Sequence, residues 1–211
     1  MKKIRPTQHC ITLKDGHRLP FHNPIKERRE LSLSDYVPEN FQSLEVEIGC
    51  GKGEFISRRA LKYPERFFIG IDRRKDRHTL THKKLLRSDQ KNWLILHEDA
   101  RCFLETSLPQ IQILHIYHPD PWPKEKHHKH RFFRSPEALK WAQAIRPGGE
   151  LRLSTDHREY FEEILKILET WDFLEQQYVY TKRSGEPMTH FESIFLKKNE
   201  PVYKAIYYRK N

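Results

Sequence analysis

Leu44-Glu45-Val46-Glu47-Ile48-Gly49-Cys50-Gly51-Lys52-Gly53-Glu54, residues 44–54, runs an apolar strand into a glycine-rich turn and on to a helix start. Glycines at such a junction permit positive φ and let backbone approach a ligand closely. A dinucleotide fingerprint requires Gly-x-Gly-x-x-Gly, but counted from Gly49 the sixth position is Glu54, and the third glycine comes one residue early, at Gly53. The Glu54 carboxylate would also repel a pyrophosphate at the helix start. The turn therefore suits a cofactor without phosphates.

Outward from this stretch, short apolar runs alternate with longer amphipathic ones, the pattern of a parallel sheet covered by helices. Residues 44–48, 67–71, 93–97, 111–117 and 150–154 have strand length and end at turn or polar residues. A helix over 54–62 stops before Pro64, and Ser135-Pro136-Glu137 supplies an N-cap, a first-turn proline and an acid for a helix ending at Arg146-Pro147-Gly148-Gly149. Asp156 is placed to cap a helix reaching Trp171, with Tyr160, Ile164, Leu165, Leu168 and Trp171 as its core stripe. Residues 173–180 and 202–209 read as two strands joined by a polar loop, an antiparallel hairpin at the sheet edge. Residues 1–40 show no period and are expected to form an arm, partly disordered or ordered by RNA; residues 41–211 form one α/β domain.

The 211 residues carry a net charge of +10 with 12% aromatic residues, a balance that favours a nucleic-acid partner over a neutral metabolite. No apolar run approaches signal-peptide or membrane-span length, so a cytosolic protein with no membrane partner is expected. Cys10, Cys50 and Cys102 are scattered and odd in number, which argues against a disulfide framework or Cys-x-x-Cys zinc binding. Oligomeric state is open between monomer and homodimer.

Acidic residues end the first three strands, and ligands in such sheets bind outside the carboxyl ends of the strands. Asp72 lies 19 residues beyond Gly53, placed to accept from two ribose hydroxyls. Glu47, just before the turn, could face a cationic methionine portion, and Asp99 could accept from an adenine amino group. S-adenosylmethionine meets these requirements.

Residues 117–134, Tyr-His-Pro-Asp-Pro-Trp-Pro-Lys-Glu-Lys-His-His-Lys-His-Arg-Phe-Phe-Arg, hold a carboxylate between two prolines at the entry to a basic, aromatic run. Each proline pushes its predecessor toward extended geometry, so His118, Asp120 and Trp122 are expected on a stiff extended loop. Five cations, Lys124, Lys126, Lys129, Arg131 and Arg134, face the single acid Glu125, which suits a polyanion. His127, His128 and His130 lack tetrahedral ligand spacing, and lysines interleave with them; no metal is expected.

With these motifs in view, the chain resembles the bacterial tRNA (guanine-N7)-methyltransferases, which methylate guanosine in the variable loop, normally at tRNA position 46. The resemblance spans about residues 40–208 and is carried by Pro119-Asp120-Pro121-Trp122 with Lys124 and the His-His-Lys-His-Arg run, the Glu-x-Gly-x-Gly-x-Gly turn, Ser154-Thr155-Asp156, and Thr189-His190-Phe191-Glu192. It implies an S-adenosylmethionine-dependent methyltransferase fold, a seven-stranded mostly parallel sheet with an antiparallel last strand, and tRNA as partner. Carried over motif by motif, Glu47, Gly49, Gly51, Gly53, Asp72, Asp99 and Asp120 would line the cofactor. Lys124, Asp156, Thr189, His190, Phe191 and Glu192 would bind substrate. The chain departs from the family where Asp72 replaces a frequent Glu, His190 a common Lys, and His118 a frequent aromatic residue.

Guanine N7 has an exposed lone pair, so attack on a sulfonium methyl needs no general base. The remaining work is to align the reacting atoms and favour the positive charge developing on the purine. Asp120, with Asp156, is expected to accept from guanine N1–H and the exocyclic amine. Two alternatives are a methyltransferase for another RNA position and a noncatalytic RNA-binding protein of the same fold.

Overall fold

The computed structural model describes residues 10–12, 18–20, 33–88, 90–103, 108–180 and 189–211. Along the chain these form β1 (Cys10–Thr12), β2 (Arg18–Pro20), β3 (Ser43–Ile48), α1 (Glu54–Lys62), β4 (Arg66–Asp72), α2 (Lys75–Leu86), β5 (Trp93–His97), β6 (Ile111–Tyr117), α3 (Pro136–Gln143), β7 (Ile145–Thr155), α4 (Arg158–Glu169), β8 (Leu174–Tyr180), α5 (His190–Lys197) and β9 (Tyr203–Arg209). The main sheet has seven strands in the order β5-β4-β3-β6-β7-β9-β8. β5, β4, β3, β6 and β7 run parallel, and β9 is antiparallel to both its neighbours. This is the α/β sheet with an antiparallel last strand anticipated above. The chain moves outward from β3 through β4 to β5, then crosses back to lay β6 on the other side of β3, so the crevice at the carboxyl ends of β3 and β6 is the place for a ligand.

Period-2 alternation divides the core between the two faces of the sheet. Leu44, Val46, Phe67, Ile69 and Ile71 join the larger cluster with α3 residues Ala138 and Trp141 and α4 residues Tyr160, Ile164 and Leu168. Phe68 and Ile95 face α1 and α2, where Ile56, Ala60 and Leu85 complete a smaller cluster. Leu33, 1% exposed, belongs to the larger core, so packed structure reaches back into the expected arm; β1 pairs with β2 there, and most of residues 1–32 lie outside the described residues.

Four local expectations are corrected. α3 ends at Gln143, and Arg146-Pro147-Gly148-Gly149 opens β7 because Ile145 already pairs with Ile111. Asp156 does not cap α4: the cap is His157, whose Nδ1 accepts from the Tyr160 amide at 3.2 Å. β8 and β9 do form the antiparallel pair at the sheet edge, with β8 outermost, but the segment joining them is more than a polar loop, since it contains α5. His118 and Trp122 adopt φ of +47° and +44°, left-handed where extended backbone was expected, and such positions cost on the order of 1–3 kcal/mol each. The His118 amide, which donates to the Ser154 carbonyl at 2.7 Å, helps to hold this bend.

Gly53 has φ +70°, and a Cβ there would lie 2.3 Å from Thr81 Cγ2 on α2. Its role is to let α2 pack against the glycine turn, since Thr81 Oγ1 also donates to the Gly51 carbonyl at 2.9 Å. Gly53→Ala combines a left-handed penalty with an overpacked contact and is expected to destabilise the fold by about 2–4 kcal/mol, read from the denaturant midpoint.

Candidate active site

The glycine turn is built from backbone bonds. Gly49 and Cys50 amides donate to the Ile71 carbonyl at 2.7 and 3.1 Å, and the Gly53 amide to Cys50 at 2.9 Å. Gly49, Gly51 and Gly53 all have positive φ, as the sequence required. Asp72 locks the turn: its Oδ2 accepts from the Gly51 amide at 2.9 Å and its Oδ1 from the Arg74 amide at 2.8 Å. Nothing stands within 4 Å of where a Gly49 Cβ would sit, leaving the strand end open to a ligand.

Two adjoining clefts open at the carboxyl ends of β3, β4 and β6. The larger, about 410 Å³, is lined by Gly49, Asp72, Asp99, Asp120 and Trp122. The smaller, about 220 Å³, is lined by Glu47, Gly49, Gly51, Thr189 and His190. Arg77, Tyr117, His118 and Phe191 border both. Of the predicted cofactor residues, all but Gly53 line one cleft or the other.

Glu47 is 4% exposed, and its Oε2 has no hydrogen-bond partner among the described residues. Burial, reinforced by the Asp72 charge, pushes its carboxyl up to about 8. An acid with one unpartnered oxygen at the base of a cleft fits a cationic ligand group. Asp99 is gripped by Arg101, which donates from Nε at 3.0 Å and Nη2 at 2.6 Å; burial opposes ionisation, but these bonds hold the carboxyl below its ordinary range. Asp120 is exposed on the cleft rim, where Arg73 Nη2 donates to Oδ2 at 2.9 Å.

The predicted substrate residues are only partly brought together. Thr189, His190 and Phe191 wall the smaller cleft, with Thr189 Oγ1 accepting from the Glu192 amide at 3.1 Å to cap α5. Glu192 instead turns to Lys204 on β9, in an ion pair shielded from solvent. Asp156 lies behind the cleft wall and accepts from His118 Nδ1 at 3.1 Å, the bond that holds its carboxyl below the ordinary range. Lys124 is exposed and lines neither cleft.

The basic run is also less available than its composition implied. Arg131 is fully buried: its Nε donates to the Pro121 carbonyl at 2.7 Å, its guanidinium pairs with Glu159 and Glu163, and it stacks 4.9 Å over the Tyr160 ring. Arg134 is paired with Glu163. Thus Arg131 anchors the Pro-Asp-Pro-Trp loop, while Lys124, Lys126 and Lys129 remain exposed. His128, Glu159 and Glu163 bring three potential metal-ligand atoms within 4.8 Å of one another, a grouping hidden from sequence spacing, but both carboxylates already pair with Arg131.

Sequence reasoning missed the guanidinium groups around the cleft, Arg73, Arg74, Arg77 and Arg101, although Arg73 and Arg74 directly follow Asp72. It missed Tyr117 as well, whose hydroxyl meets His115 Nδ1 at 2.9 Å.

A glycine turn and acidic strand ends around a cleft in this sheet order define a methyltransferase. Residues 42–205 match the family model Methyltransf_4, described as "Putative methyltransferase". The tRNA (guanine-N(7)-)-methyltransferase of Alkalilimnicola ehrlichii is 34% identical over 174 residues, covering 78% of this chain and 71% of that protein. That of Chlorobium phaeobacteroides is 32% identical over 184 residues and 86% of each chain. The match to the Aquifex aeolicus enzyme, 31% identical over 80% of this chain, spans only 57% of that longer protein. The 16S rRNA methyltransferase KamB shares the fold, with a TM-score of 0.64 at 15% identity over 87% of this chain and 96% of that one. The chain belongs to the tRNA (guanine-N(7)-)-methyltransferase family.

Proposed function

We propose that this chain transfers a methyl group from S-adenosylmethionine to N7 of guanosine in tRNA, at position 46 of the variable loop. The observation that carries the reading is the meeting of Asp72, Asp99 and Asp120 in one cleft beside an open Gly49. Asp72 and Asp99 would hold the ribose and adenine, each through acceptor positions left beyond its present bonds, and Glu47 would face the methionine end. When bound, the cofactor supplies an electrophilic sulfonium methyl. The chain's own work is then orientation and electrostatics: Asp120 on the rim accepts from the guanine's Watson–Crick edge and favours the purine's growing positive charge. Exposed Lys124, Lys126 and Lys129 would contact tRNA phosphates, and these contacts would make binding salt-dependent. Mapping of a tRNA transcript incubated with the protein and S-adenosylmethionine should show N7-methylguanosine at position 46 and lose it in a transcript with adenosine there. Methylation at another position, or of protein, would overturn the assignment.

Glu47 supplies a prediction independent of turnover. With its carboxyl at about 8, the free protein holds a proton there at neutral pH, and a cation placed against it expels that proton. Proton release on binding makes affinity rise with pH until roughly the free-state pKa and level off above it. Calorimetry near neutral pH in buffers of different ionisation enthalpy should therefore report net proton release with the cofactor, and Glu47→Gln should abolish it. Equal enthalpies in all buffers would remove Glu47 from the cationic end of the site.

A further inference from the structure

The surroundings of His118 give its imidazole a defined job. The side chain is 4% exposed and sits in the wall shared by both clefts. Its Nδ1 lies 3.1 Å from Asp156 Oδ1. A carboxylate only accepts, so Nδ1 carries the hydrogen, and in the neutral ring Nε2 is left as a bare acceptor. That Nε2 is buried and has no partner among the described residues. Buried polar atoms are nearly always satisfied, so an exception in a cleft wall calls for a partner, and a bound ligand is one that this position can receive. Beside it lies Phe191, 5.8 Å from the His118 ring, stacked on Phe195 on one side, 41% exposed and bordering both clefts, an aromatic ring of the kind on which bases stack. The left-handed φ of +47° at His118 is a local strain spent on this placement.

We propose that His118 is a specificity-determining residue for guanine: Phe191 turns aside to stack on the base, which opens His118 Nε2 to the base's N1–H, with Asp156 fixing the tautomer from behind. The inference rests on the methyltransferase reading above. Guanine and hypoxanthine present N1–H beside O6, whereas adenine and 2-aminopurine present a bare N1, which would confront a second lone pair. Asp156 thus acts on the base through His118, not directly, and Asp120 remains to serve the exocyclic amine and the developing charge. As positive charge spreads over the purine, N1–H becomes a stronger donor, so this bond strengthens along the reaction coordinate.

The test uses the full chain and tRNA transcripts carrying guanosine, inosine or 2-aminopurine riboside at the target position, with single-turnover methyl transfer as readout. His118→Phe keeps an aromatic ring but removes the acceptor. It should slow methylation of guanosine and inosine at least about tenfold while leaving the 2-aminopurine rate no lower than the wild-type enzyme's rate on that base, since no bond to N1 exists there to lose and the facing lone pair is gone. His118→Gln, which places an amide oxygen near the Nε2 position, should recover part of the guanosine rate. A variant that slows all three bases equally, or none, overturns the proposal, the first outcome showing His118 to be merely structural. Failure of the wild-type protein to methylate guanosine at all would instead overturn the methyltransferase reading. Thermal melts of both variants establish that each is folded.

Discussion

Glu45→Gln is expected to destabilise the protein by about 3–5 kcal/mol, the loss typical when one partner of a buried ion pair is removed and the other left behind. Glu45 is 1% exposed in the middle of β3, on the face toward α1. Arg59 forks onto it, Nε at 2.6 Å from Oε2 and Nη2 at 2.8 Å from Oε1; Arg66 Nη1 reaches Oε1 at 2.7 Å, and His115 Nε2 lies 2.9 Å from Oε2. Burial opposes its ionisation, yet these partners hold the carboxyl far below the usual range, while burial pushes His115 down to about 4 and keeps it neutral. Because the Glu45 pKa is lowered on folding, the stabilisation is present above the unfolded value of about 4.5 and is lost as pH falls through the folded one. Neutralising the side chain strands the Arg59 guanidinium, itself 1% exposed, in the core. Urea unfolding at neutral pH should show the shift in midpoint. The double variant Glu45→Leu with Arg59→Met, apolar and similar in volume, should recover part of the loss, limited by the buried His115 Nε2 that it leaves without its acceptor. A single-variant loss under 1 kcal/mol would mean that water reaches the pair. The network also matters to the site, since His115 continues it to the hydroxyl of Tyr117 in the cleft wall.

Period and punctuation revealed the sheet because its strands are buried on both faces: the runs at 44–48, 67–71, 93–97 and 111–117 could be little else. α1 was legible to the residue, since the glycine turn starts it and Pro64 forbids its continuation. α3 was overrun because strand pairing of Ile145 with Ile111 outcompetes local helix preference, a tertiary effect absent from the window. The site was legible where backbone chemistry fixes it, as at Gly49, Gly51 and Asp72, and illegible where long side chains choose among partners. Arg131 reads as one more cation in a basic run, and only the fold shows it turned inward to Pro121 and Glu163. Glu192 similarly reads as a substrate ligand but turns to Lys204. His118 and Asp156, 38 residues apart in sequence, meet because β6 and β7 are parallel neighbours whose ends lie together.

Asp120→Asn is expected to lower single-turnover methylation by at least about tenfold while changing tRNA binding less, because the interaction it removes gains strength as the purine becomes cationic. The substitution keeps the size and one acceptor oxygen of a side chain that stands exposed on the cleft rim, so the fold should be little disturbed. What disappears is the charge. Arg73 presently donates to that carboxylate at 2.9 Å, a competition that the guanine's donors must share or displace, and its neutralising effect is why the loss should fall short of the largest transition-state defects. Since N7 already offers a lone pair, Asp120 itself should contribute no limb, so whatever pH dependence Glu47 and His118 give the wild-type rate should persist in the variant, whose profile should parallel it at a lower level. A profile whose acid limb disappears in the variant would assign Asp120 a proton-accepting role. Near-wild-type turnover would leave it only the task of pairing with Arg73 to shape the loop, and would move the electrostatic burden to the Asp156–His118 pair.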